Sequence, residues 1–401
     1  MESAVAVTYE LDDMPLAADE LLHQIHEKIT IQKESIAILY VQPNLEVEEL
    51  ADILYQQLGF TVIGGTTASA SLISGEGYHE LAILLQVITA DDCQFSTAIS
   101  EQLTDDPQQQ ITNTYVEAYE ALKDTHAGSE PKMVFVIASV SPGHKTDCLV
   151  SSLSAVSEGL PLFGFLSGDD FKFCEQSAFL NGTNGIDRVV VLLIAGNVEP
   201  LFEVMTLKGS ESLSRRKITK AHDNIISEID YQPAIEYLKG FSFIGDDTTE
   251  LWSYQFFVEL ENEPDTGNVA VCRALKSFDR ETGEITCFAS IPENSYISLQ
   301  YCNDCDVKDS SDLAISELLK KLEQKAKGDY RYSTVLIVSG ILRSLFLTNQ
   351  KNAEGILVSE KIPKSLTVSG VYGMGEIAPT AQGRDRAINC YHNAAMVICV
   401  L

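Results

Sequence analysis

The stretch "IAILYVQPNLEVEELADILYQQLGFTVIGGTT", residues 36–67, contains three elements in order. "IAILYV" is an apolar run of strand length, after which Val47, Leu50, Ala51, Leu54 and Leu58 recur at helical spacing. Gly59 ends the helix, and "FTVIG" opens a second strand that breaks at Gly64 and Gly65. This order predicts a β-α-β unit closed by a glycine corner. Continuous apolar strands joined by an amphipathic crossover pair in parallel, with a right-handed connection and helices covering a face.

The pattern returns twice. "VFVIASV" (134–140) is followed by "SPGHK", a helix with Leu149, Leu153, Val156 and Leu160 on one face, and "LPLFGFLSGDD". Gly164 takes the place of Gly64, and each corner leads through a glycine turn to a further strand, "LAILLQV" or "RVVVLLI". A third copy runs from "TVLIVSG" (334–340) through a helical stretch to about Ile362, then "SLTVSGVYG" and "AAMVICVL". Its corner places Glu376 where the other copies have "GTTAS" and "GFLSGDD". Between copies two and three, short runs split by "RETGE" and "PENS" read as antiparallel hairpins, and "SDLAISELLKKLEQKAK" reads as a linking helix. The fold expected is mixed α/β: repeated β-α-β units in largely parallel sheets covered by helices, with an inserted antiparallel hairpin region.

A chain of 401 residues with 45% hydrophobic and 21% charged residues can bury a large core and suggests about two or three domains. Its formal net charge of −30 argues against nucleic-acid and anionic-lipid partners, which require clustered Lys and Arg. No apolar run reaches the length of a membrane span, and the N-terminal stretch has no basic head followed by an apolar segment, so a cytoplasmic location is expected. Most of the nine cysteines lie in apolar runs, and "CNDC" (302–305) lacks a companion ligand pair, so neither a metal nor a cofactor is expected. "GGTT" (64–67) leads into a turn and a strand, not a helix, which argues against a phosphate cradle and for a corner that a ligand or another strand approaches closely.

Nearly the whole chain resembles the FIST domain family. The resemblance rests on "VIGGTTAS" (62–69), "ITKAHDNIISEIDYQPAIEYLKGF" (218–241), "CRALKSFDRETGEITCFASIPENS" (272–295) and "GVYGMGEIAP…HNAAMVICVL" (370–401). It implies a FIST N-terminal domain over 1–230 and a FIST C-terminal domain over 231–401. It also implies a cytoplasmic sensory module of signal transduction that binds a small ligand, an amino acid or related metabolite. No kinase, cyclase or chemoreceptor segment follows, so output is expected to pass through a separate signalling protein or an oligomer. Where the family commonly has Cys in a "CxxR" step, this chain reads "SGILR", with Gly340 at the thiol position and Arg343 retained. Where the family's first corner often reads Gly-Cys, the chain has Gly64 and Gly65, so a thiol mechanism is not expected at either place.

The ligand-binding residues expected are Gly64, Gly65, Thr66 and Thr67 at the first corner, Tyr372, Gly373, Gly375 and Glu376 at the third, and Arg273, Arg343, His392 and Asn393. Glu376 either accepts hydrogen bonds from a ligand ammonium group or caps backbone N–H groups of its turn. Arg273 and Arg343 either grip a ligand carboxylate or pair with one of the abundant acids. His392 and Asn393 either wall a pocket, or shape the turn and pair locally. No catalytic residue is expected, because no "GxSxG", nucleotide fingerprint or metal cluster is present. The leading expectation is a non-catalytic sensor. The alternatives are an interaction protein that docks a signalling partner and an enzyme using Glu376 and His392.

Overall fold

The computed structural model describes residues 1–69, 71–140, 144–169, 171–172, 174–240, 251–260, 269–325, 331–382 and 387–401. Residues 141–143 of "SPGHK" and Asp170 of "GFLSGDD" lie outside them. Unit one comprises β1 (Glu2–Thr8), α1 (Met14–Lys28), β2 (Glu34–Val41), α2 (Val47–Leu58), β3 (Val62–Thr66), β4 (Ser71–Ser74), β5 (Gly77–Glu80) and β6 (Ile83–Ala90). Unit two repeats the order as β7 (Cys93–Ile99), α3 (Gln108–Thr125), β8 (Pro131–Ala138), α4 (His144–Val156), β9 (Leu162–Leu166), β10 (Ala178–Leu180), β11 (Thr183–Gly185) and β12 (Val189–Gly196).

Unit three starts at β13 (Leu201–Thr206) and is interrupted by an insertion. The insertion holds β14 (Ser210–His222), β15 (Ile225–Ile229), β16 (Gln232–Pro233), α5 (Ala234–Lys239), β17 (Tyr254–Leu260), β18 (Val269–Phe278), β19 (Ile285–Cys287) and β20 (Tyr296–Tyr301). The unit resumes with α6 (Asp304–Lys325), β21 (Thr334–Gly340), α7 (Ile341–Leu347), α8 (Ala353–Lys361), β22 (Thr367–Gly373), β23 (Glu376–Gln382), β24 (Ala387–His392) and β25 (Ala395–Val400).

Each unit builds a six-stranded sheet, and the third copy therefore has its own. The orders are β1-β6-β2-β3-β10-β11, β7-β12-β8-β9-β23-β24 and β13-β25-β21-β22-β4-β5. In every sheet the last two strands come from a different unit. The hairpin of unit one completes sheet three, that of unit two completes sheet one, and that of unit three completes sheet two.

This arrangement corrects the expectation of largely parallel sheets. Each sheet has one parallel pair, β2–β3, β8–β9 or β21–β22, and its other pairs are antiparallel. The crossover helix enforces parallel pairing only between the two strands it joins. The strand that closes each unit returns beside the first, and a borrowed hairpin covers the other edge, both antiparallel.

Alternate side chains explain why the strands are apolar throughout. Ile36, Ile38 and Tyr40 of β2 join Phe135 and Ile137 of β8 and Leu336 and Val338 of β21 in one core shared by the three inner faces. Ala37, Leu39 and Val41 point outward beneath α1 and α2. A face buried on each side leaves no polar alternation to read.

The insertion is antiparallel and barrel-like, because β14 pairs with both β20 and β15 and so links the two sides of its sheet. "RETGE" joins β18 to β19 as a hairpin. "PENS" instead carries the chain across to β20, which pairs with β14 and β17.

Gly164 marks how tightly the corner strands pack. A Cβ there would lie 1.9 Å from the carbonyl oxygen of Val136, and backbone in a central strand cannot move aside. Gly164→Ala is expected to lower the unfolding free energy by about 1–3 kcal/mol or more in denaturant titration. Gly182→Ala, whose Cβ would meet Asp52 at an ordinary 3.6 Å, serves as the near-neutral control.

Candidate functional site

The three corners meet in a ring of backbone hydrogen bonds. Ala68 N–H donates to Tyr372 O at 2.7 Å, Gly168 N–H to Thr66 O at 3.0 Å, and Met374 N–H to Leu166 O at 2.9 Å. The first corner is consumed by this junction. A Cβ on Gly64 would fall 2.0 Å from Leu39 O and against the Phe179 ring, and one on Gly65 would fall 2.5 Å from Ser167 Oγ. Thr66 Oγ1 donates to Gly168 O and accepts from Ser177 N–H, while Thr67 Oγ1 accepts from Ser69 N–H. What approaches closely at Gly64–Thr67 is therefore protein: strand β2 of the same unit at Gly64, and unit two at Gly64, Gly65 and Thr66.

At the third corner, Gly375 is small because the Tyr391 ring lies where its Cβ would be, 2.1 Å away. Gly373 is held close to the same turn, 3.0 Å from Gly375 O by the same measure. Tyr372 is fully buried, and burial followed by the neighbouring Glu354 carboxylate pushes its hydroxyl well above its ordinary pKa.

Strand register redefines the position of Glu376. Glu376 faces Phe165 in β9, as Ala178 faces Gly65 in β3 and Leu72 faces Val371 in β22. It is thus the first residue of the hairpin lent to sheet two, and its counterparts are Leu72 and Ala178, not "GTTAS" or "GFLSGDD". The carboxylate is fully buried, with Oε2 accepting from Ala395 N–H at 2.8 Å and Oε1 having no protein partner. Burial raises its pKa well above the ordinary value, against the lowering effects of the Ala395 hydrogen bond and of Arg343. Gly340 makes room for it: a Cβ there would stand 2.3 Å from Glu376 Oε1 and 3.0 Å from Ala394 N. A thiol-bearing side chain at position 340 and this carboxylate could not share the place without displacement.

Arg343 is also fully buried and turns toward the helix side. Its Nε donates to Glu354 Oε1 at 3.0 Å, and its Nη2 reaches the same oxygen at 2.9 Å and Ser311 Oγ at 2.7 Å. Ser311 and Ser339 hydroxyls complete the Glu354 carboxylate at 2.9 and 2.8 Å. The guanidinium fork is therefore committed to an ion pair, leaving Nη1 without a protein partner. Arg273, 5% exposed, donates to three backbone carbonyls: Nε to Ser290 O, and Nη1 to Cys272 O and Tyr391 O. It stitches the inserted sheet to β24.

His392 lies opposite Glu376 in the β23–β24 ladder. Its Nε2 is 3.3 Å from Ala378 O, so Nε2 carries the proton and Nδ1 is a buried acceptor without a protein partner. Burial, and next the positive Arg273, push its pKa down to about 4, so it is neutral at physiological pH. Asn393 donates from Nδ2 to His392 O, and its buried Oδ1 has no protein partner. Glu376, Arg343, His392 and Asn393 thus each retain one polar atom in the core that is unbonded among the described residues. Buried polar groups of this kind call for a partner from solvent or a ligand.

Sequence reasoning missed Glu354, Ser311 and Ser339. They sit in otherwise ordinary helix and strand patterns, and nothing local marks them as facing Arg343. It also missed the Ala394–Ala395 backbone, where Ala394 adopts φ 57°. The corresponding residues Leu81 and Asp187 do the same, and only their register in the fold relates them.

Residues 35–232 match the FIST N domain, and residues 234–379 match the FIST C domain. No curated protein matches the chain. Among solved structures, one reported as "Cyanuric acid hydrolase: evolutionary innovation by structural concatenation" aligns over 99% of this chain and 98% of that one, at 9% identity and a TM-score of 0.34. PurLQS from Thermotoga maritima aligns over 99% and 72% of the two chains, at 9% identity and a TM-score of 0.21. Neither likeness is strong enough to bear on this chain's fold or activity.

Two outcomes test the geometry of this site. A carboxyl group whose folded pKa is raised stabilises most below its unfolded pKa and loses that contribution as pH rises toward the folded value. Glu376→Gln should therefore flatten the decline in stability above the ordinary value of 4.5, by at most about 1.4 kcal/mol per pH unit. His392 acts in the opposite sense, losing its contribution as pH falls from 6.5 toward 4, and is unchanged in this variant. Parallel stability–pH curves for the two proteins would contradict the assignment. In addition, Gly340→Ala should destabilise the protein, and Gly340→Ala with Glu376→Ala should recover part of that loss in a double-mutant cycle.

Proposed function

This chain belongs to the FIST family, and we propose on that premise that it is a sensory protein of the cytoplasm whose centre at Glu376 binds an amino acid or related small metabolite without turning it over. FIST domains are associated with sensing in signal transduction. The observation that supports ligand binding is Glu376 Oε1, which lies beside Gly340 and, like the buried Arg343 Nη1, His392 Nδ1 and Asn393 Oδ1, lacks a partner among the described residues. Glu376 takes the ligand's ammonium group. Arg343 contributes the two N–H groups of Nη1, since Glu354 occupies its Nε and Nη2.

The location suits a sensor. Glu376 begins a hairpin lent by unit three to sheet two, while its Oε2 holds the first residue of β25 in sheet three. A ligand that draws on this carboxylate acts on the seam between two units. Output then passes to a separate signalling protein or through an oligomer.

Thermal unfolding against a panel of free amino acids and small carboxylates tests the reading. A ligand at about a hundred times its dissociation constant adds about 2.7 kcal/mol, and Glu376→Gln should abolish that gain. No stabilisation by any compound, with a partner recovered in a ligand-free pull-down, would replace the sensor with a docking protein.

A further inference from the structure

A cleft of about 450 Å³ opens at the seam between units one and three. Ser74, at the end of β4, and His79, in β5, stand in its wall, and Tyr9 stands at its rim. Ser74 Oγ is 2.7 Å from His79 Nε2, and Tyr9 Oη is 2.8 Å from His79 Nδ1. The hydroxyl, imidazole and third group are thus connected in the order a nucleophile, its base and the base's orienter require. We propose that Ser74 is the nucleophile of an acyl-transfer site for esters of small carboxylic acids, with His79 as its general base and Tyr9 as the group that orients the imidazole.

Strand pairing does not require this constellation. The hairpin of unit two has Leu180 at the register position of Ser74 and Gly185 at that of His79, yet it pairs with its sheet in the same way. The hairpin of unit three has Ala378 and His392 at those positions, and His392 meets only the backbone carbonyl of Ala378. A histidine facing a side-chain hydroxyl at these positions is therefore particular to unit one.

The surroundings suit the chemistry. Burial lowers the proton affinity of His79, so the imidazole is neutral and able to take a proton, while the nearby Glu76 carboxylate favours the imidazolium that follows. Glu76 N–H donates to Ser74 Oγ at 3.0 Å. Lys364 Nζ is fixed on Gly75 O at 2.6 Å, one residue from Ser74, and brings a cation into the same cleft. Val5 and Val368 provide apolar wall for a short acyl chain.

In the first half-reaction, Ser74 Oγ bonds to the ester carbonyl carbon as its proton passes to His79 Nε2. The tetrahedral intermediate then collapses, the bond to the alkoxy oxygen breaks, and that oxygen takes the proton from Nε2 and leaves as the alcohol. Water repeats the sequence on the acyl-serine, releasing the carboxylic acid and restoring Ser74. No other co-reactant is needed.

The test is labelling of the full chain with a fluorophosphonate, read by mass spectrometry of the peptide that contains Ser74. Labelling at Ser74 is expected, with none in Ser74→Ala and a rate at least about 100-fold lower in His79→Gln. Because the buried His79 substitution can perturb folding, Tyr9→Phe at a 62% exposed position provides a second arm and should also slow labelling. Folded protein that is not labelled at Ser74, or labelling equally fast in Tyr9→Phe and wild type, overturns the proposal.

Discussion

The exchange of hairpins among the three units is the constraint on which the rest of the structure depends. Each sheet is completed by two strands that it does not encode, and the ring of N–H to C=O bonds between Ala68, Gly168 and Met374 and their neighbours closes the three corners on one another. Backbone pairing of this kind cannot be lost at one unit alone, because removing a hairpin exposes the edge strand of a different sheet. The glycines at 64 and 164 serve the pairing within a unit: at each, a carbonyl oxygen of the parallel partner strand lies about where a Cβ would be.

The same exchange places polar side chains where a single unit could not. Glu376 leaves unit three, lies in sheet two, and is held by the N–H of Ala395 back in sheet three. Arg273 reaches from the insertion to the carbonyl of Tyr391, and Arg343 is neutralised within unit three by Glu354. A buried pair such as Arg343–Glu354 contributes little net stability but is costly to break, since one charge is then stranded. It fixes Arg343 within unit three, while Glu376, whose Oε1 has no partner among the described residues, has its pKa raised by burial.

Two of the three hairpins carry histidine at one register position, and the chemistry around each differs. His392 is neutral, bonded to a carbonyl and enclosed in the core. His79 bridges two hydroxyl groups at the wall of an open cleft. A repeated scaffold thereby presents one residue type in two environments, and burial and partners decide what each can do.

The β-α-β repeat, the glycine corners, the antiparallel insertion and family membership were all legible in the residues, because periodicity and turn chemistry are local. The helix ending at Gly59 is a plain instance, with that residue in the left-handed region at φ 74°. The direction of pairing was not legible, since strands buried on both faces look alike whether their neighbours run parallel or antiparallel. Nor could the sequence reveal that Gly64–Thr67 would serve a junction and Arg343 an ion pair, because Gly168, Ser177 and Glu354 are brought to them only by tertiary packing. The sequence alone determined the strand–helix–strand order of each unit and the place of the antiparallel insertion. Which unit each hairpin completes, and hence which polar atoms are left without partners beside Gly340, was decided by the tertiary structure, because those contacts join residues far apart in the chain.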